Sequence, residues 1–325
     1  MAAMTFHAQE SANRRNSFFL VIAVLLLLSA LGYAIGYGIV GDPAGGVGAT
    51  LIAVVIGALM SIGSYFAGDR LVLAASGAKR TDEKQTPQLI NVVQELALAA
   101  NIPMPAVYLI DDTAPNAFAT GRDPKHSSIA ITTGLLQKLD REELQGVIGH
   151  ELSHVRNLDI RFSLLVGVLV GSVALLSSFF LRFTWFGGGR RSNDRNSGGG
   201  GLQAIMFVVA IVLAIVAPIA ARMVQLAVSR QREYLADASS VELTRNPAGL
   251  ERALAKIAGD KEVLEVANPA TQHLYFTNPI KKFEARSSSM FSTHPAIIDR
   301  INRLRQLSGQ GSMDAAEFQA LRGLD

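Results

Sequence analysis

Two histidines four residues apart, with a glutamate beside the first, are the groups in this chain best spaced for chemistry: His150-Glu151-Leu152-Ser153-His154. On an α-helix, positions i and i+4 share a face, so His150 and His154 can share a metal while Glu151 sits next to it. The spacing suits zinc, because two neutral imidazoles take two corners of a tetrahedron and a carboxylate can polarise a water there. The chain has no cysteine, so any zinc must be held by histidine and carboxylate. Glu233 is the best third ligand, because Asp237 stands one helical turn further on and can accept the free N–H of a ligand histidine, fixing its tautomer. The competing reading of 229–237 is a helix surface with paired charges, since Arg230 and Arg232 lie close by; beside H-E-x-x-H the metal reading takes precedence. A structural zinc site normally closes with four protein ligands, and no fourth presents itself, which favours catalysis.

The elements that must position these groups are split by apolar runs. Hydrophobic residues make up 49% of the 325 and charged residues only 18%, below the roughly 25% of a soluble domain, which points to the membrane. Scattered Arg and Lys without interleaved aromatics argue against a nucleic-acid partner. Residues 1–16 read as a short flexible polar tail. Two uncharged runs within 17–68, joined by the turn Gly41-Asp42-Pro43-Ala44, form a helical hairpin long enough to cross a hydrocarbon core of about 30 Å. A signal peptide would have a shorter apolar core and no second run. Arg14, Arg15, Arg70, Lys79 and Arg80 flank the outer ends of the hairpin, which places the N-terminus and residue 69 onward in the cytoplasm.

Residues 69–161 form the first part of a catalytic domain. Thr86-Pro87-Gln88 opens a helix, 105–110 is a strand, and 116–121 and 127–133 are two more around the turn Arg122-Asp123-Pro124. Asp140 with Glu143 is a capping-box start for the helix of His150, and that helix runs without a stop into the apolar stretch 162–181. The segment 162–228 holds a second pair of apolar helices, 162–181 and 202–221, around a Gly- and Arg-rich loop, 187–201; a kink is expected at Pro218. Residues 229–325 complete the catalytic domain, with Asn246-Pro247 starting one helix and short amphipathic helices at 295–307 and 315–324. The fold class is thus mainly α with a small β-sheet (α+β), a four-helix membrane anchor joined to a zinc-binding domain.

Topology tests the ligand set. Glu233 meets His150 and His154 only if the chain between them crosses the bilayer an even number of times, and two apolar runs satisfy that. The loop with Arg190, Arg191 and Arg195 then lies outside, against the positive-inside tendency. His154 lies about 12 Å before the third run and Glu233 about 18 Å after the fourth, at 1.5 Å per residue, so a metal site there suits substrates in or near the membrane.

The stretch 150–160 (HELSHVRNLDI), Glu233-Tyr234-Leu235-Ala236-Asp237, and Ser292-Thr293-His294-Pro295 with Arg300 resemble HtpX-type membrane zinc peptidases, relatives of the CAAX prenyl proteases. The resemblance covers nearly the whole chain, including two apolar runs before the catalytic region and two between the metal motifs. It implies a gluzincin-like domain with one Zn2+ per chain, facing the cytoplasm of the bacterial inner membrane, and Glu151 as catalytic base. It implies cleavage of misfolded membrane proteins in quality control and the stress response, with the lipid bilayer and other membrane quality-control proteases as partners. Asn116-Ala117-Phe118-Ala119-Thr120 is implied to be an edge strand that pairs with substrate backbone. His294 matches the family's Thr-His-Pro and is read as an oxyanion stabiliser, with a local packing role as the alternative. Arg300 orients substrate or a carboxylate, or is an exposed helix charge; Asp159 and Asn157 orient ligands or helices. His7, His126 and His273 have no partner pattern. Two rival functions are a catalytically silent membrane adaptor with a vestigial or structural zinc site, and a transporter; the latter lacks ionisable residues in the first two spans.

Overall fold

In the computed structural model of the protein, the described residues are 6–187, 200–260, 262, 276, 295–314 and 316–318. They divide into two compact units: Met1–Asn13, Phe66–Ser163 and Ser229–Asp325 in one, Arg14–Tyr65 and Leu164–Val228 in the other.

The second unit is built from parts of four long helices: α1 (Phe6–Val40), α2 (Pro43–Ala75), α6 (Asp159–Gly187) and α7 (Gly200–Thr244). All four are long and apolar enough to cross a membrane, with hydropathy from 2.1 to 2.9. The chain is therefore a membrane protein. α1 starts at Phe6, so the polar stretch expected to be a flexible tail is helical from there on. α2 also runs past the expected end of the hairpin, to Ala75. The turn between them is set by Asp42, whose side chain accepts the Gly45 N–H at 2.7 Å. α1 and α2 approach closely at Gly36, where a Cβ would stand 2.2 Å from the Gly45 carbonyl oxygen. Small residues thus let the backbones touch, with Val24, Leu28, Leu31 and Ala53 buried around them. Gly63 of α2, by contrast, has open space beside it. Pro218 lies inside α7. Residues 188–199, most of the Gly- and Arg-rich loop, lie outside the described residues.

The first unit carries a four-stranded sheet in the order β1-β2-β4-β3. β2 (Ala106–Ile110), β3 (Ala117–Asp123) and β4 (His126–Thr132) follow the expected strands, and β1 (Lys79–Arg80) is a two-residue edge with no expectation attached. β2 runs parallel to β4 (Val107 opposite Ile129), and β3 antiparallel to it (Phe118 opposite Ala130). The β3–β4 turn is closed by Asp123, whose carboxylate accepts the N–H groups of Lys125 and His126, both at 2.9 Å.

Alternation along the strands sorts the two faces. Val107, Ala117, Ala119, Ile129 and Ile131 point into the main core with helices α3 (Pro87–Ala99), α5 (Arg141–Arg156), α8 (Pro247–Gly259) and α9 (Ile297–Leu307). Ile110, Phe118 and Ala130 point the other way, onto Leu73 of α2. α4 (Thr133–Lys138) is a short helix capped by Thr132. α5 opens with a complete capping box, Asp140 and Glu143 bonding each other's backbone N–H at 2.9 and 2.8 Å. Asn246 caps α8 through the Gly249 N–H, with Pro247 at its first turn.

The course of the motif helix is corrected as well. The helix of the H-E-x-x-H motif does not run on into the third apolar stretch: α5 stops at Arg156, Leu158 takes a left-handed φ of 60°, and α6 begins at Asp159. A leucine in that region costs on the order of 1–2 kcal/mol, and the next residue, Asp159, is bonded to groups on α5 and α7.

Candidate metal centre

α5 and α7 pack tightly because small residues face each other. Ser240 on α7 donates its hydroxyl to the Gly146 carbonyl at 2.7 Å, and a Cβ on Gly149 would stand 2.8 Å from Ser240 Oγ. That proximity delivers Glu233, two turns earlier on α7, to the two histidines of α5. The Nε2 atoms of His150 and His154 are 3.1 Å apart; Glu233 Oε2 is 3.6 Å from the first and Oε1 is 3.5 Å from the second. Tetrahedral coordination with bonds of about 2.0–2.2 Å separates ligand atoms by roughly 3.3–3.5 Å. The three groups fit one metal ion.

The outer nitrogens strengthen that fit. His150 Nδ1 is 2.9 Å from Asp237 Oδ1, and His154 Nδ1 is 3.1 Å from Asp159 Oδ2. Each carboxylate holds an Nδ1–H, so in the neutral rings both Nε2 lone pairs point at each other across the gap. Two lone pairs at that distance repel unless a cation stands between them. The donor set, two imidazoles and a carboxylate, suits zinc.

Behind each carboxylate is a guanidinium. Arg300, fully buried, forks Asp237 with Nη2–Oδ1 at 2.6 Å and Nε–Oδ2 at 2.9 Å. Of the two uses expected for Arg300, the observed contact is to a carboxylate; it is not an exposed charge. Although burial alone would raise it, the Arg300 charge beside Asp237 holds that carboxyl below the usual range. Arg232 Nη1 lies 2.7 Å from Asp159 Oδ1. Although burial pulls the other way, Asp159 and Glu233 together push the His154 imidazole up to about 10. Glu151 is buried next to the histidines, and burial pushes its carboxyl up, against the pull of His150, His154 and the Ala119 backbone N–H.

β3 is the edge of the sheet on this side. Its outward backbone groups face the site: the Ala119 N–H favours ionised Glu151, and the Ala117 carbonyl accepts the Phe276 N–H at 2.7 Å. Asn116 precedes the strand; its N–H donates to the Thr132 hydroxyl and its carbonyl accepts the Thr132 N–H, and Phe118 and Thr120 are buried. Phe276 also stacks edge-on against His150 at 4.9 Å, with the Arg300 guanidinium 4.7 Å from its ring.

Asn157 ends α5, its N–H donating to the Ser153 carbonyl, and among the described residues its buried side-chain nitrogen has no hydrogen-bond partner. His294 and His273 lie outside the described residues. His126 pairs with Asp123 in the β3–β4 turn. Sequence reasoning missed Phe276 and the use of Arg232; an arginine adjacent to the third ligand was the available signal for the second.

Residues 83–308 match the model of "Peptidase family M48". The chain is 46% identical over 299 residues to "Protease HtpX homolog" of Streptococcus gordonii, covering 92% of this chain and 99% of that protein. It is 44% identical to the like-named protein of Streptococcus uberis, covering 93% and 99%. The Ligilactobacillus salivarius protein of the same name is 41% identical, again over 93% and 99%. The crystal structure of S. mikatae Ste24p superposes at a TM-score of 0.49 with 17% identity, over 78% of this chain and 57% of that one, too loosely to inform the site.

Proposed function

The chain belongs to peptidase family M48, as a membrane metalloprotease, and we propose that it is a zinc-dependent endopeptidase cutting misfolded or damaged membrane proteins on the cytoplasmic side of the bacterial inner membrane, in quality control and the stress response. The observation that carries this reading is the closure of His150, His154 and Glu233 around one point, with buried Glu151 beside it. His150, His154 and Glu233 would hold the ion, which supplies an acidified water and an electrophile for the scissile carbonyl. Glu151 takes the proton of the attacking water and returns it to the leaving amine; its burial raises its basicity toward that task. Asp237 and Asp159, each on an Nδ1, aim both Nε2 atoms inward.

The open edge of β3 supports substrate binding by strand addition, since its outward groups already point to Glu151 and to Phe276. A bound peptide must compete with the Phe276 N–H for the Ala117 carbonyl. Chain continuity supports a membrane substrate, because α6 and α7, which carry Asp159 and Glu233, lead directly into apolar spans. The positive flanks of the first hairpin support the cytoplasmic orientation. A catalytically silent adaptor would have no use for a buried glutamate beside the ligand pair.

The test is a cleavage assay of detergent-solubilised protein on an unfolded membrane-protein substrate, with chelator and zinc add-back. Chelation abolishing cleavage and zinc restoring it supports the reading; cleavage indifferent to chelation overturns it.

A further inference from the structure

We propose that Arg232 is a positioning residue for the metal ligand His154, acting through Asp159. The proposal rests on the reading of His154 as a ligand. Asp159 offers one oxygen to each neighbour: Oδ2 lies 3.1 Å from His154 Nδ1, and Oδ1 accepts from Arg232 Nη1 at 2.7 Å. Arg232 and Asp159 are both buried, so the carboxylate cannot rely on water to keep its charge or its orientation. The guanidinium is held on its other side by Phe162, with Cζ 3.6 Å from the ring centroid. Phe162 and Asp159 belong to the first turn of α6, and Arg232 directly precedes ligand Glu233 on α7.

The backbone is bent to allow this. In an unbroken helix, residue i+5 stands about 140° around the axis from residue i and faces elsewhere. Here α5 ends after Arg156 and Leu158 enters the left-handed region, which swings Asp159 back onto the His154 imidazole. The same chain of groups serves the other ligand from α7 and α9: His150, then Asp237, then Arg300. Two imidazoles thus each carry a carboxylate backed by an arginine. Arg232 is the member of this set that looks least like site machinery in sequence, standing among the ordinary charges of 229–237.

The test uses the full-length protein in detergent and reads zinc affinity by competition with a chromophoric chelator, alongside thermal unfolding. Arg232→Met keeps the apolar stem over Phe162 and removes the charge; it is expected to weaken zinc binding by about 10–100-fold, the usual cost of losing a partner of a ligand histidine. Arg232→Lys keeps the charge without the planar guanidinium that lies over Phe162 and should fall between. The second variant is the neutral pair Arg232→Met with Asp159→Leu. It removes both buried charges, so its melting temperature should recover toward wild type while zinc affinity stays at least about tenfold weakened, because His154 Nδ1 has lost its acceptor. If Arg232→Met does not fold, Arg232→Lys, which leaves Asp159 in place, carries the test, with zinc affinity expected below that of wild type and an unchanged affinity overturning the proposal. Zinc affinity within about twofold of wild type in Arg232→Met, or affinity that returns with melting temperature in the neutral pair, would show a merely structural role and overturn the proposal. Wild type that binds no zinc would overturn the metal assignment itself, and this proposal with it.

Discussion

His150 and His154 present their Nε2 atoms to each other at 3.1 Å while their Nδ1 atoms turn away to Asp237 and Asp159. Two hydrogen bonds on the outside therefore decide the chemistry on the inside. In the neutral rings each carboxylate claims the Nδ1 proton and leaves a lone pair facing its counterpart, and Glu233 closes the third side.

Metal binding should be strongly pH dependent. His154, pushed up to about 10 by Asp159 and Glu233, carries a proton at neutral pH that must leave before Nε2 can ligate. Acid therefore opposes binding, and apparent zinc affinity should rise about tenfold per pH unit between pH 7 and 9, one proton being released. Chelator competition across that range measures the slope; a flat profile would contradict the assignment of the proton.

Breaking the Asp237–Arg300 fork should be costly in either direction. Asp237→Ala leaves a fully buried guanidinium uncompensated, and Arg300→Met leaves a buried carboxylate. Each should lose about 3–5 kcal/mol of stability, with the double variant losing less than the sum. Thermal unfolding of the three variants in one detergent checks the coupling.

Gly146 should not tolerate a side chain. A Cβ there would lie 2.7 Å from both the amide nitrogen and Cα of Leu250, so α8 itself must move. Gly146→Ala is expected to destabilise by about 1–3 kcal/mol as an overpacked core does, visible as a lower melting temperature. Gly63→Ala, with open space beside it, should leave the melting temperature unchanged.

Strand addition at β3 predicts a periodic effect of substrate backbone methylation. Methyl groups on the peptide nitrogens that face β3 should raise KM about tenfold or more by removing a hydrogen bond and adding a clash. Methylation of the alternate nitrogens should change it little. Equal effects at all positions would argue for binding by side chains alone.

Much of the site was legible because its logic is local. The i, i+4 spacing put both histidines on one helix face, the one-turn spacing of Glu233 and Asp237 marked ligand and partner, and Asp140 with Glu143 announced the helix start. The apolar runs needed only length and charge. What escaped was set by tertiary contacts. Nothing about Leu158 suggests a left-handed turn; at that bend Asp159 meets His154 and Arg232, the latter 73 positions away. β1 is two charged residues recruited by β2, with no apolar alternation to betray it. Residues 6–16 carry polar and charged side chains that suggested a tail, yet they continue the helix that follows. Phe276 lies far from either metal motif in sequence and reaches the site only through the fold.

The central claim, that Glu151 moves the protons of peptide hydrolysis at a metal held by His150, His154 and Glu233, is tested most directly by Glu151→Gln. Purified side by side with wild type in detergent, the variant should retain one zinc per chain by elemental analysis and show no cleavage of a membrane-protein substrate. A zinc-loaded variant that cleaves at the wild-type rate would contradict the account.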